Sequence, residues 1–184
     1  MKSKYFFRPL FFVLLLLLIG GLSFSVSAQK RDHLTEAEIE IIRDTQELDL
    51  RTKVFVKAAE RRFVVLGVLT ELKPAKKEKE KDNSDWGEPP TGTRAELLGD
   101  IAKILEEAMN NLDNVWSREP KNPLVPKALK ILSDAAARFQ TQAGSLDSKA
   151  ASEKEREAVF QIKRDLENIL QAQKDYSAGA GSTR

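Results

Sequence analysis

The sequence predicts an all-α protein: an antiparallel four-helix bundle with a long first helix, after an N-terminal signal peptide. Apolar side chains recur at steps of three and four residues in four stretches, which is the spacing of one helix face. No stretch alternates apolar and polar residues with a period of two, so no β-strand is expected. The predicted helices, which would pack in coiled-coil fashion, cover about residues 35–72, 94–116, 123–143 and 149–176.

The first 28 residues have the pattern of a secretory signal peptide. A basic start without acids precedes an apolar run over residues 10–20, and small side chains lead up to Ala28. This pattern predicts cleavage between Ala28 and Gln29 and export to the periplasm or the cell exterior. The alternative is an uncleaved membrane anchor, because residues 10–28 approach the roughly 20 apolar residues that a membrane-spanning helix needs.

The composition excludes several classes of function. Removing residues 1–28 takes three of the 30 basic side chains and none of the 28 acidic ones, so the remaining 156 residues carry a formal charge of −1. This balance gives no general reason for nucleic-acid binding. The chain has no cysteine, which excludes disulfides, thiolate metal sites and thiol catalysis. No cofactor is expected.

A capping box predicts where the first helix begins. Thr35 and Glu38 are spaced so that each side chain binds the other's free backbone N–H group. The helical pattern continues to Leu72, and Pro74 is expected to end it. Arg62 interrupts the stripe, so it either reaches a carboxylate across the bundle or marks where the helix leaves its partners. The stripe itself consists of Ile41, Thr45, Leu48, Thr52, Phe55, Ala59, Leu66 and Leu69.

The other three predicted helices have their own start and stop signals. A second capping box, residues 93–96, opens the second helix, and a third, residues 152–155, lies at the start of the fourth. Asn122 and Pro123 supply a cap and a first-turn proline to the third helix, and Gly144 is expected to end it. The short connections between these helices predict antiparallel neighbours.

The segments outside the predicted helices are strongly polar. Residues 73–92 hold five lysines, five acids and three prolines, and are expected to form a charged linker. Residues 177–184 are small and polar, and are expected to be disordered. The predicted bundle domain therefore covers residues 29–176.

Residues 63–69 contain no polar side chain over nearly two helical turns. A helix that is apolar all round is either enclosed on every side or presents a surface to an oligomer or another protein. Trp86 in the linker has no local core, so it either folds back onto the bundle or anchors a partner. The candidate partner-binding residues are therefore Phe63, Val64, Val65, Val68 and Trp86.

The sequence offers few residues for a catalytic or metal site. We interpret His33, the only histidine, as a solvated residue before the first helix, because a catalytic or metal-bound imidazole must be held by its neighbours. The carboxylates of Asp44, Glu47 and Glu60 are the alternative basis for acid–base chemistry. Their spacing is equally typical of a solvated helix face with ordinary ion pairs, which is the interpretation we favour.

These observations favour an exported, non-enzymatic helical protein that acts by binding: a scaffold, an adaptor or a chaperone-like envelope protein. Its partner would be a second copy or another envelope protein, and not nucleic acid. Membrane contact is expected only through the signal segment, if that segment stays attached. The two rival hypotheses are a hydrolase or lyase that uses carboxylates alone, and a membrane-anchored protein with an uncleaved first helix.

Overall fold

A computed structural model describes residues 31–69 and 86–181, and these ranges contain five α-helices and no strand. The prediction of an all-α fold is confirmed for this part of the chain. The predicted signal peptide with its Ala28–Gln29 cleavage site, most of the charged linker and the last three residues lie outside the described ranges. The helices are α1 (Glu36–Asp44), α2 (Leu48–Val65), α3 (Arg94–Arg118), α4 (Leu124–Asp147) and α5 (Glu153–Gly181).

Two of the predicted capping boxes are complete in the structure. The Glu38 N–H donates to the Thr35 hydroxyl over 3.2 Å, and the Thr35 N–H donates to the Glu38 carboxylate over 2.9 Å. Thr93 and Glu96 make the same reciprocal pair at the start of α3. These local bonds satisfy backbone donors that a helix start otherwise leaves free, so both helices begin within one residue of the prediction.

The prediction of one long first helix is wrong, because the chain breaks between α1 and α2. Thr45 and Glu47 have extended backbone angles, and the Thr45 hydroxyl donates to the Ile41 carbonyl where α1 ends. After the break α2 runs back along α1, so that Glu38 lies beside the far end of α2. The break costs helical hydrogen bonds, and the contacts that α1 gains against distant residues outweigh that local preference.

The second helix ends at Val65 and not at Leu72. Gly67 has a φ of +69°, the Val68 N–H donates to the Phe63 carbonyl, and the Gly67 N–H donates to the Val64 carbonyl. This pair of bonds is the Schellman motif, which needs a residue with positive φ at the glycine position. Gly67 therefore ends the helix before Pro74 is reached.

Two further helix ends differ from the prediction. The helix α4 continues through Gly144 to Asp147, because the fully buried Leu146 anchors its last turn in the core. The helix α5 continues to Gly181, past residue 177, where the disordered tail was expected to begin. The Ser177 hydroxyl donates to the Gln173 carbonyl within this last part of the helix.

All four longer helices contribute to the main apolar core, and a smaller apolar cluster includes Leu48, Leu112 and Val125. The helix α2 packs against α3 and α4, and α5 packs against the same two helices. The ion pair between Arg94 and Glu155 joins the starts of α3 and α5, and the Trp116 and Tyr176 rings meet near their ends, so these two helices run in the same direction. Of the two consecutive pairs predicted to be neighbours, α4 and α5 pack closely, whereas α3 and α4 make much less contact with each other.

Two buried aromatic rings meet near the end of α2. Phe63 and Phe139 are both fully buried, and their ring centroids lie 4.8 Å apart. Leu34 and Ile42 pack against the same cluster from the α1 side, and so does Trp86. None of the helices in residues 31–69 and 86–181 has the run of apolar residues needed to span a bilayer.

Candidate functional site

A buried ion pair joins α1 to α2. The side chains of Glu38 and Arg62 are 0% and 1% exposed, and an Nη1 hydrogen bond links the guanidinium to the carboxylate. The same Nη1 donates to the Ala58 carbonyl over 2.9 Å, and Nη2 donates to the His33 carbonyl over 2.7 Å. Asp100 of α3 brings a second carboxylate to 3.9 Å from Arg62 Nε. Arg62 thus reaches a carboxylate on another helix, one of the two roles expected for it.

Arg61, the neighbouring residue, ties a third segment to this pair. Its Nη1 donates to the Glu38 carboxylate over 2.7 Å, and its Nη2 donates to the carbonyls of Gly87 and Glu88. Gly87 has a φ of +60°, and a Cβ atom placed there would lie 3.0 Å from the Ala37 Cβ. Glycine therefore permits both the backbone conformation and the close approach of this segment to α1.

The surroundings of Glu38 favour its ionised form. Burial alone would raise the pKa of this carboxyl, but the hydrogen bonds from Arg62 and the Thr35 N–H oppose burial, as do the charges of Arg62 and Arg61. Their combined effect holds the pKa of Glu38 below its ordinary value. Glu38 serves the capping box and both arginines, so a single carboxylate fixes the start of α1 and its position on α2.

The interpretation of His33 as a solvated residue is wrong. Its side chain is 17% exposed, with Nε2 3.1 Å from the Glu107 carboxylate and Nδ1 3.1 Å from the Asp32 carboxylate. Its carbonyl also accepts the hydrogen bond from Arg62. Position along the chain suggested a frayed end, and no sequence signal identifies Glu107 as a neighbour. His33 extends the contact of the N-terminal segment to the middle of α3.

Trp86 folds back onto α2. Its side chain is half-buried, with Lys57 Nζ 4.6 Å and Arg61 Cζ 5.7 Å from the ring centroid. Cations at such distances interact favourably with the face of an indole ring. Lys57, Arg61 and Val65 follow at four-residue steps and so lie on one face of α2. We call these three residues and Trp86 the Trp86 surface.

The other candidate partner-binding residues are buried to very different extents. Phe63 is fully buried against Phe139, so its side chain belongs to the core. Val64 and Val68 are half-buried, and Val65 is 43% exposed. The apolar stretch of residues 63–69 is therefore buried on the Phe63 side and exposed to solvent at Val65.

The three carboxylates considered for acid–base chemistry do not form one site. Asp44 and Glu47 are exposed at the break between α1 and α2, and Glu60 lies roughly 20 Å further along α2. Glu60 accepts a hydrogen bond from Arg138 Nη2 over 2.7 Å. Glu60 and Arg138 line a shallow groove of about 300 Å³ between α2 and α4.

Sequence reasoning missed Asp165 on α5. Burial raises the pKa of this carboxyl, and the nearby Glu106 adds to the effect, whereas hydrogen bonds from Gln161 and the charge of Arg164 oppose it. Gln161 Nε2 donates to both Asp165 oxygens, over 2.8 and 2.9 Å. Across residues 31–69 and 86–181, histidine and carboxylate side chains do not assemble into any group of three that could hold a metal ion.

Comparison with known proteins found no match among family models, curated proteins or solved structures.

Proposed function

We propose that this chain is an exported four-helix bundle that acts by binding another protein, as a scaffold, an adaptor or a chaperone-like envelope protein. The signal-peptide pattern of residues 1–28 supports export. The extensive packing of α2 and α5 against both α3 and α4 supports a bundle. Such a protein acts through a surface that its helices hold rigid and at which a partner docks.

The observation that carries the proposal is the composition of the Trp86 surface. Val65 exposes 43% of its side chain beside the half-buried Val64 and Val68, one helical turn from the part of α2 that Trp86 covers. Tryptophan and apolar side chains beside arginine are typical of the centre of protein interfaces. Because the segment 86–88 is fixed by Arg61, the indole ring is already positioned for an incoming apolar side chain.

Site-specific crosslinking in cells tests this proposal. A photo-reactive amino acid replaces Val65 in one variant and Phe160 in a control. Phe160 is 66% exposed and lies on α5, and in the described residues α5 makes no packing contact with α2. We expect a discrete crosslinked partner from position 65 and none from position 160. We also expect Trp86→Ala to reduce the yield at least threefold.

The stability of the variants separates binding from folding. With the photo-reactive residue moved to Lys57 on the same face of α2, Val65→Asp is expected to abolish capture. The urea unfolding midpoint should stay close to that of the wild type, because the Val65 side chain already reaches solvent. Equal capture from positions 65 and 160 would contradict the proposal. So would a Val65→Asp protein that unfolds and captures nothing only for that reason.

A further inference from the structure

The break between α1 and α2 lies where the local sequence favours a continuous helix. Residues 45–47 contain neither glycine nor proline, and the apolar stripe passes through them from Ile41 to Thr45 and Leu48. At the start of α2, Glu47 makes no capping hydrogen bond through its side chain, whereas α1 and α3 begin with complete capping boxes. The break therefore has no helix-breaking residue and no capping box, and the local bonds at it come from the side chains of Thr45, Gln46 and Arg51.

Contacts with distant residues hold α1 in its folded-back position. Glu38 binds Arg61 and Arg62, which follow it by 23 and 24 positions, and His33 meets Glu107 on α3. Among the described helices α1 packs against α2 alone. Every one of these contacts could be made equally well by residues 32–44 of a second copy.

We propose that two copies of this chain exchange residues 32–44. In the exchanged dimer α1 and α2 join into one helix over residues 36–65, and Glu38 of each copy binds Arg61 and Arg62 of the other. The backbone changes only at residues 45–47. The bonds from Arg51 Nε to the Thr45 carbonyl and from Gln46 Nε2 to the Arg43 carbonyl break there, and helical hydrogen bonds form in their place. Short connections of this kind are known to favour exchange.

Helix geometry makes the two arrangements exclusive. In a continuous helix the 24 positions between Glu38 and Arg62 correspond to roughly 36 Å, so the pair cannot form within one chain. Two such helices packed antiparallel form the pair twice, once at each end, and the assembly closes with twofold symmetry. The inference goes beyond the proposed function because it concerns how copies of the chain associate and requires no other partner.

Charge reversal tests the exchange directly. Glu38→Arg and Arg62→Glu each place like charges against each other within one chain. In a mixed exchanged dimer, the introduced arginine of one copy meets the introduced glutamate of the other, and the native Glu38 and Arg62 meet at the opposite end. The Glu38→Arg and Arg62→Glu proteins are each expressed from the full sequence, including residues 1–28. They are purified separately and mixed in equal amounts for native mass spectrometry. We expect the mixed dimer to exceed the statistical share of one half, and to exceed either homodimer at least fivefold.

A second experiment leaves the ion pair intact, in case the reversed charges prevent folding. The chain has no cysteine, so His33→Cys and Glu107→Cys introduce single thiols at positions whose side chains meet in the structure. A short bismaleimide added to the mixed single variants is expected to give a crosslinked dimer, at least fivefold more than the same reagent gives with His33→Cys mixed with Phe160→Cys. A bifunctional reagent is used because cysteines are shorter than the two side chains that meet at this contact. If the yields are equal, and a chain with both His33→Cys and Glu107→Cys crosslinks only internally at every concentration, the exchange does not occur.

A proline at the break provides the matched control. The φ of Glu47 is −72°, which suits proline in the folded-back form, whereas proline inside a continuous helix removes a hydrogen bond and clashes with the preceding turn. Glu47→Pro should therefore keep the helical circular dichroism spectrum of the wild type and lose the crosslinked dimer. Undiminished crosslinking in Glu47→Pro overturns the proposed straightening of residues 45–47.

Discussion

Glu38 and Arg62 lie 24 positions apart on two different helices and meet as an ion pair with both side chains withdrawn from water. Removing charges from water is costly, and the cost is recovered only when each charge keeps a partner and its remaining hydrogen bonds. Arg62 meets most of this condition through Glu38 and the carbonyls of Ala58 and His33, whereas its Nε makes no hydrogen bond in the described residues and faces Asp100 Oδ2 at 3.9 Å. We therefore infer that the main role of the pair is to fix the position of α1 on α2, and that its net contribution to stability is small.

Truncation of one partner should be strongly destabilising. Glu38→Ala leaves Arg62 buried with only the more distant Asp100 as a counter-charge, so we expect a loss of about 3 kcal/mol in the free energy of unfolding. Urea denaturation followed by circular dichroism measures it. Glu40→Ala on the same helix is the control: Glu40 and Arg43 form an ion pair with exposures of 60% and 66%, and removing it should cost less than about 1 kcal/mol.

Replacing both members of the pair distinguishes positioning from stabilisation. A protein with Glu38→Met and Arg62→Met has no buried charge of the pair left, so it should be less destabilised than Glu38→Ala. Equal losses of unfolding free energy in Glu38→Ala and Glu40→Ala would show that breaking the buried pair costs no more than breaking an exposed one.

Local signals could be predicted from the sequence, and distant contacts could not. The capping boxes at Thr35 and Thr93 depend on residues three positions apart, so both helix starts were predictable. The turn that brings Glu38 back to Arg62 depends on contacts across more than 20 positions, and no periodicity reports them. Trp86 shows the same limit, because its contact with Lys57 arises only after the chain folds back.

The glycines at 67 and 144 illustrate how tertiary structure decides between equivalent signals. Both follow an apolar helical stretch, yet one ends a helix and the other lies inside one. After Gly67 the chain closes back on Phe63 through the Val68 N–H, whereas after Gly144 the buried Leu146 keeps the chain helical. A glycine permits a helix end, and burial of the following residues decides whether the helix ends there.

The stability of the protein should depend on pH through Glu38. Its pKa is lowered in the folded state, so its contribution is present above the ordinary glutamate pKa of the unfolded chain and is lost as pH falls through the folded pKa. The difference in free energy of unfolding between wild type and Glu38→Gln should therefore shrink as the pH is lowered from about 7 towards about 3. A difference that stays constant over this range would contradict the ionised buried pair.

Asp165 should have the opposite dependence. Its pKa is raised by burial, so the ionised form is disfavoured in the folded state, and this cost is present above the folded pKa and disappears below the ordinary aspartate value. Asp165→Asn should therefore stabilise the protein at about pH 7 and have little effect at about pH 3. Asp175→Asn is the control, because Gln171 donates to Asp175 with the same four-residue spacing on an exposed part of α5. If both variants behave alike, burial of Asp165 is not the cause.

Alanine at the two glycines should change stability in opposite directions. A Cβ atom at either position meets no atom within 4 Å, so the effect of the substitution reports on backbone conformation and not on packing. At Gly67, where φ is +69°, alanine should cost about 1–2 kcal/mol because the left-handed region is unfavourable for L-residues. At Gly144, inside α4, alanine should add about 0.5–1 kcal/mol. Urea denaturation of both variants measures the difference, and a Gly67→Ala protein as stable as wild type would show that the Schellman motif at the end of α2 does not form in solution.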